Sequence, residues 1–146
     1  MRVGILVEKR YLSQAQPNGL IEALRAGGHE TVCIDPQACA YTLGDGSWLA
    51  GLDFLAARGR SWELLCLLGW AEARGVKTVN KHSAIKAVHN KAEMSVLITE
   101  AHLPAPQTFL GPISELARTI KPSAYPVVLK PIFGDNGRGL RLVSSP

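Results

Sequence analysis

The residues best suited to chemistry lie near the end of the chain, in YPVVLKPIFGDNGRGLRLV, Tyr125 to Val143. Val127, Val128 and Leu129 read as a strand, and alternation puts Lys130 on the same side as Val128. Burying an ammonium without a partner costs several kcal/mol, so Lys130 must reach water or meet an anion. Gly134, Gly137 and Gly139 then leave backbone N–H groups uncovered, and such groups can converge on phosphate oxygens. Arg138 adds a second cation to that arrangement or points at solvent. A glycine-rich loop between two short strands is more often an ordinary turn, and the residues alone leave the phosphate reading open beside it. The loop is not a P-loop, since no Lys-Ser/Thr pair follows its glycines, and it lacks the strand–loop–helix context of the dinucleotide fingerprint. One charge-assisted bond from Lys130 to a phosphate is worth about 1.5–3 kcal/mol, tenfold or more in affinity.

Arg58 and Arg60 form a second set. They fall just beyond the expected end of a third strand, and Asn80 ends a fourth, at the edge where open parallel sheets bind ligands. Each could instead be a surface cation or a turn residue. Metal chemistry has weaker support: His82 and His89 have no third ligand in view, and the three cysteines lack ligand spacing. Cys33 and Cys66 sit in apolar runs and are expected to be buried thiols. His102 is expected to cap a helix at its negative end, and Trp48, Trp62 and Trp70 to pack in the core or between subdomains.

These residues need a scaffold, and the composition provides one. Of 146 residues, 47% are hydrophobic and 19% charged, which fits an ordered core and not a disordered chain. Arg2–Glu8 reads as a buried parallel strand. Asn18 is placed to cap a helix that presents Leu20, Ala23 and Leu24. Strands are expected at Thr31–Ile34, Leu52–Ala56 and Val76–Val79, with a helix from Trp62 to Arg74 between the last two. That order predicts an α/β class, an open and mostly parallel sheet. Short helices follow at 83–88, 91–101 and 112–120, with a short strand at Thr108–Leu110. An antiparallel hairpin, 126–131 with 139–143, closes the chain and makes its last part α+β.

Charge is unevenly placed. Residues 77–146 hold nine Lys/Arg and four Asp/Glu, whereas residues 1–76 hold seven and eight. A basic second half suits an anionic ligand such as a phosphate-bearing cofactor. No basic run is interleaved with aromatics, which argues against single-stranded nucleic acid. The apolar run in MRVGILVEKR is too short for a signal peptide or a membrane span, so a cytoplasmic, reducing setting is expected.

The closing segment resembles the lysine strand and glycine-rich loop of ATP-grasp enzymes, specifically carboxylate–amine ligases similar to the ribosomal-protein glutamate ligase. TVNKHSAIKAVHNKAEMSVLITEAHLPAPQTFL, Thr78 to Leu110, resembles that family's strand-ending asparagine, helix-opening lysine and proline-rich turn. LDFLAARGR, Leu52 to Arg60, resembles its strand followed by an arginine, and Asp35-Pro36 also fits. The resemblance implies a pre-ATP-grasp α/β domain at 1–80, a connector at 81–90 and an incomplete ATP-grasp subdomain at 91–146. It implies that Lys91 and Lys130 contact ATP and that the Gly134–Gly139 loop, with Asn136, Gly137 and Arg138, covers its phosphates. Arg58, Arg60 and Asn80 would lie near the substrate cleft.

The implied activity joins a carboxylate to an amine through an acyl phosphate, with ATP and magnesium as cofactors and small-molecule or peptide substrates as partners. The family's magnesium ligands match nothing in this sequence and are expected beyond residue 146; Asp135 belongs to the phosphate-cover loop and is not assigned as one. The chain is therefore expected to be an N-terminal portion, inactive alone. The alternative is a non-catalytic α/β module that binds a nucleotide or a protein. An unpaired hairpin exposing Val128 and Leu142 would also invite self-association.

Overall fold

The computed structural model describes residues 1–134 and 137–146. The chain forms two compact units, Met1–Lys86 and Ala87–Pro146.

In the first unit, β1 (Arg2–Val7) lies at the heart of a four-stranded sheet. It pairs in parallel with β2 (Glu30–Ile34) on one side and β3 (Phe54–Arg58) on the other, and β3 pairs in parallel with β4 (Lys77–Val79). The order β2-β1-β3-β4 means that the chain leaves β1 to one side and returns on the other. Side-chain alternation on the inner strands feeds two cores. Val3, Ile5 and Val7 join Ala56 and Ile21 in one, and Leu6, Leu55 and Ala57 join the leucines of the second helix in the other. Both faces are covered, which explains why β1 is a continuous apolar run and not an alternating one.

Helix α1 (Ala15–Ala26) covers the first face, with Pro17 and Ile21 buried and Leu24 packed beside them. Its buried stripe is therefore rotated from the predicted one: Leu20 is 39% exposed. Asn18 does not cap; its side-chain amide donates to the Leu12 carbonyl at 2.9 Å. Helix α2 (Trp62–Ala73) covers the second face with Leu64, Leu65, Leu67, Leu68 and Ala71. Ser61 caps it, its hydroxyl accepting from the Leu64 N–H at 3.2 Å. Tyr41, Trp48 and Trp70 pack edge-on or tilted at 5.7 Å spacings beside this core, whereas Trp62 is exposed. Cys33 and Cys66 are also exposed, against expectation. Cys33 lies on the edge strand, and Cys66 lies on the outer side of α2 between buried leucines.

Glu72, near the end of α2, fastens the next elements. Its carboxylate accepts from the Thr78 hydroxyl of β4 at 2.5 Å and from the His82 N–H at 2.9 Å, at the start of α3 (His82–His89). Those two donors, Thr78 first, hold the Glu72 carboxyl below its ordinary pKa.

The second unit contains α4 (Lys91–Glu100), α5 (Ile113–Thr119) and the antiparallel pair β5 (Val127–Leu129) and β6 (Arg141–Val143). Asn90 caps α4, its side-chain oxygen accepting from Ala92 and Glu93 N–H groups. The helix ends in a Schellman turn: the Leu103 N–H donates to the Ile98 carbonyl, and the His102 N–H to that of Thr99. His102 holds the left-handed position at φ 53°, where α1 and α2 use Gly28 and Gly75. It therefore ends the helix through its backbone conformation. Residues 108–110 form no strand, because a three-residue run gains nothing without a partner to pair with. Among the described residues, no helix is long and apolar enough to cross a membrane.

Candidate functional site

Two sets of candidate side chains are built, one in each unit. In the second unit, Lys91 opens α4 and its ammonium donates to the Gly134 carbonyl at 2.6 Å. The Lys91 backbone N–H donates to the Ile132 carbonyl at 3.1 Å, so the helix start and the segment after β5 are joined twice. Gly134, Gly137 and Gly139 all have positive φ, and the Leu140 N–H closes a turn on the Gly137 carbonyl. The chain here runs close to Pro131: a β-carbon at position 139 would lie 3.2 Å from its Cγ. The structure thus brings Lys91 to the glycine loop. Lys130 follows β5 directly and is exposed, as is Arg138; Val127 and Leu129 turn inward and Val128 outward. Asn136 and Asp135 lie outside the described residues.

In the first unit, Glu8 ends the apolar run of β1 and is only 3% exposed. Its carboxylate accepts from the backbone N–H groups of Arg60 (2.5 Å) and Ser61 (2.8 Å) and pairs with the Arg10 guanidinium at 2.6 Å. The loops after β1 and β3 are thereby tied together across the point where strand order reverses. Gly59 is required by this tie. At φ 150°, a β-carbon there would collide with Glu8 Oε1 and lie 2.7 Å from Leu64 Cδ1. Arg58 is the last residue of β3, paired with Val7, and not the first residue beyond the strand. Its guanidinium lies over the Tyr11 ring, 4.7 Å from the centroid, with that of Arg10 at 4.9 Å. Asn80 donates its side-chain amide to the Ala57 carbonyl at 3.3 Å and so fastens β4 to β3.

Sequence reasoning missed Glu8, Arg10, Tyr11 and Gly59. The available signal was a carboxylate placed directly after a buried parallel strand, where burial demands a partner. Among the described residues, no three His, Cys, Asp or Glu side chains gather as a metal site.

No family model matches the chain. It is 28% identical, over 161 aligned residues, to a probable alpha-L-glutamate ligase of Maridesulfovibrio salexigens, matching 99% of this chain and 52% of that protein. The crystal structure of a RimK domain ATP-grasp protein from Sphaerobacter thermophilus matches with a TM-score of 0.74 at 25% identity, over 99% of this chain and 55% of that one. The chain is thus similar to ATP-grasp carboxylate–amine ligases of the RimK-like branch. Its fold also matches that of N5-carboxyaminoimidazole ribonucleotide synthetase from Thermotoga maritima, with a TM-score of 0.71 at 14% identity, over 99% of this chain and 41% of that one. The chain spans about half the length of the relatives it matches.

Proposed function

We propose that this chain supplies the first nucleotide-binding part of an ATP-dependent carboxylate–amine ligase. In the reaction, a substrate carboxylate oxygen attacks the γ-phosphorus of ATP, giving an acyl phosphate and ADP. An amine then attacks the acyl carbon, phosphate leaves, and the amine loses a proton as the amide forms. Residues 1–80 act as the preceding α/β domain, 81–90 as a connector and 91–146 as the start of the ATP-grasp module.

The observation that carries this reading is the Lys91 ammonium held 2.6 Å from the Gly134 carbonyl. A cation and a glycine-rich loop therefore share one place, and the carbonyl oxygen occupies a position that a phosphate oxygen can take over. On binding ATP, Lys91 exchanges that carbonyl for phosphate, Lys130 adds a second ammonium, and Gly134, Asn136, Gly137, Arg138 and Gly139 form the cover. Such a cover neutralises charge on the transferred group and keeps water from the acyl phosphate. Arg58, Arg60 and Asn80 serve the substrate side in this proposal. The described residues do not fit a magnesium site, so no step here is assigned to that ion. We further propose that the 146 residues bind nucleotide without turning it over.

ATP affinity of the Lys91→Ala and Lys130→Ala variants tests the site. Each loses a charge-assisted bond of about 1.5–3 kcal/mol, so each should weaken ATP binding about tenfold or more. Unchanged affinity removes that lysine from the site. ADP release by the 146-residue chain above a no-protein background would refute the second proposal.

A further inference from the structure

The segment that leads into the glycine loop is docked on the start of α4, and the docking contacts differ in what a nucleotide would do to them. The Lys91 ammonium donates to the Gly134 carbonyl at 2.6 Å, and this contact is the exchangeable one. The Lys91 backbone N–H donates to the Ile132 carbonyl at 3.1 Å. A further contact joins two rings: Phe133 lies against His89, the last residue of α3, with centroids 5.9 Å apart and planes tilted by 51°. All of these residues belong to the second unit.

The first turn of α4 decides which contacts persist. A helix start offers unbonded N–H groups that can hold a phosphate. Here they are taken: Asn90 accepts from Ala92 at 2.9 Å and Glu93 at 3.2 Å, and Ile132 accepts from Lys91. The helix therefore offers a nucleotide its lysine side chain and not its backbone, so a nucleotide does not compete for the Ile132 bond. Pro131 stiffens the same stretch, since its φ is fixed. Its ring sits between the two ends of the loop, 3.4 Å from where a β-carbon would stand at Gly134 and 3.2 Å at Gly139. Residues 131–133 thus form a stem, and Gly134, at φ 152°, is where the backbone can swivel. Phe133 is 55% exposed, so no core holds it, and its orientation depends on the ring beside it.

We propose that His89 and Phe133 are positioning residues for the phosphate cover. Their ring contact holds the stem to the start of α4 with and without nucleotide. The loop then closes by turning about Gly134 while the Lys91 ammonium passes from carbonyl to phosphate. Freedom already removed from the loop need not be lost on binding, and affinity gains accordingly. The inference rests on the nucleotide reading of Lys91 and the glycine loop.

Limited trypsin digestion of the 146-residue chain, followed by mass spectrometry, reads the stem without nucleotide. Arg138 is an exposed cleavage site in the loop, whereas Pro131 protects the bond after Lys130. Cleavage tracks the population of opened loop when opening is fast. Phe133→Ala and His89→Ala should each speed cleavage after Arg138 about two- to tenfold, the worth of an aromatic pair. Each should weaken ATP binding, measured by titration calorimetry, by a similar factor. Phe133→Tyr keeps the ring and should retain wild-type values, and the double variant should be no worse than either single one. Cleavage after Arg118, in α5 of the same unit, should not change. Unchanged cleavage after Arg138 in Phe133→Ala overturns the proposal, as does equal acceleration at Arg118, which would mean that the whole unit loosens. Additive effects in the double variant refute the pairing. Faster cleavage with unchanged ATP affinity also overturns the proposal when Lys91→Ala does weaken binding. If Lys91→Ala leaves affinity unchanged as well, the nucleotide reading itself falls, and the proposal with it.

Discussion

Replacing Glu8 by alanine should unfold the first unit at markedly lower urea concentration, and the size of the effect follows from its three partners. Two backbone N–H groups, at 2.5 and 2.8 Å, lose their acceptor. A buried donor left unsatisfied costs about 1–3 kcal/mol, which would give about 2–6 for the pair. Glu8 lines an open depression, so water can enter and satisfy part of the loss, bringing the expected cost to about 2–4 kcal/mol. The Arg10 partner adds little: its side chain is 52% exposed, and a half-exposed cation remains hydrated when its pair is removed. Glu8→Gln keeps an oxygen for both donors and should cost only about 1 kcal/mol. The assay is urea unfolding followed by tryptophan fluorescence, because Trp48, Trp62 and Trp70 all lie in the first unit. The midpoint should fall in the order wild type, Gln, Ala, with unchanged slope. A cost below about 1 kcal/mol for alanine, or equal damage from glutamine, would refute the reasoning that backbone capping is the role of this carboxylate.

Gly59→Ala should destabilise the same unit by about 2 kcal/mol or more, from backbone strain at positive φ and from the approach to Leu64, as measured by the same urea transition; a shift below half that size would mean that the loop relaxes freely. Glu72 makes stability depend on acid. Its folded pKa is lowered by Thr78 and then His82, so its contribution is complete above the ordinary glutamate pKa of about 4.3 and is lost as pH falls through the lower folded value. The stability gap between wild type and Glu72→Gln should therefore be constant near neutrality and close in that acid window; a gap independent of pH would place the effect elsewhere.

Much of the fold was legible because burial on both faces leaves a plain trace. Val3 to Val7 and the apolar side of α2 announce a covered parallel sheet, and Gly28 and Gly75 announce where helices stop. Errors arose where one residue of phase changes the outcome. The predicted face of α1 held Leu20, Ala23 and Leu24; Leu24 does pack on the core, but Pro17 and Ile21 join it in place of Leu20, since a helical period alone does not set the zero of rotation. The third strand was expected two residues early, which displaced Arg58 from the end of a paired strand into the following loop. Cys33 and Cys66 have apolar sequence neighbours, but an edge strand and a helix packed on one side of a sheet both have an outer side.

The first-unit site was largely hidden for a different reason. Glu8 finds its partners in backbone N–H groups 52 and 53 residues away, and a backbone donor has no signature in residue type. Only the burial of a carboxylate at the end of an apolar strand implied that such donors exist. Arg58 and Arg60 carried a signal of type, whereas Glu8 and Arg10, which tie the loops, carried only a signal of place. Lys91 and the glycine loop entered through the family resemblance, whereas the tie around Glu8 required the strand order.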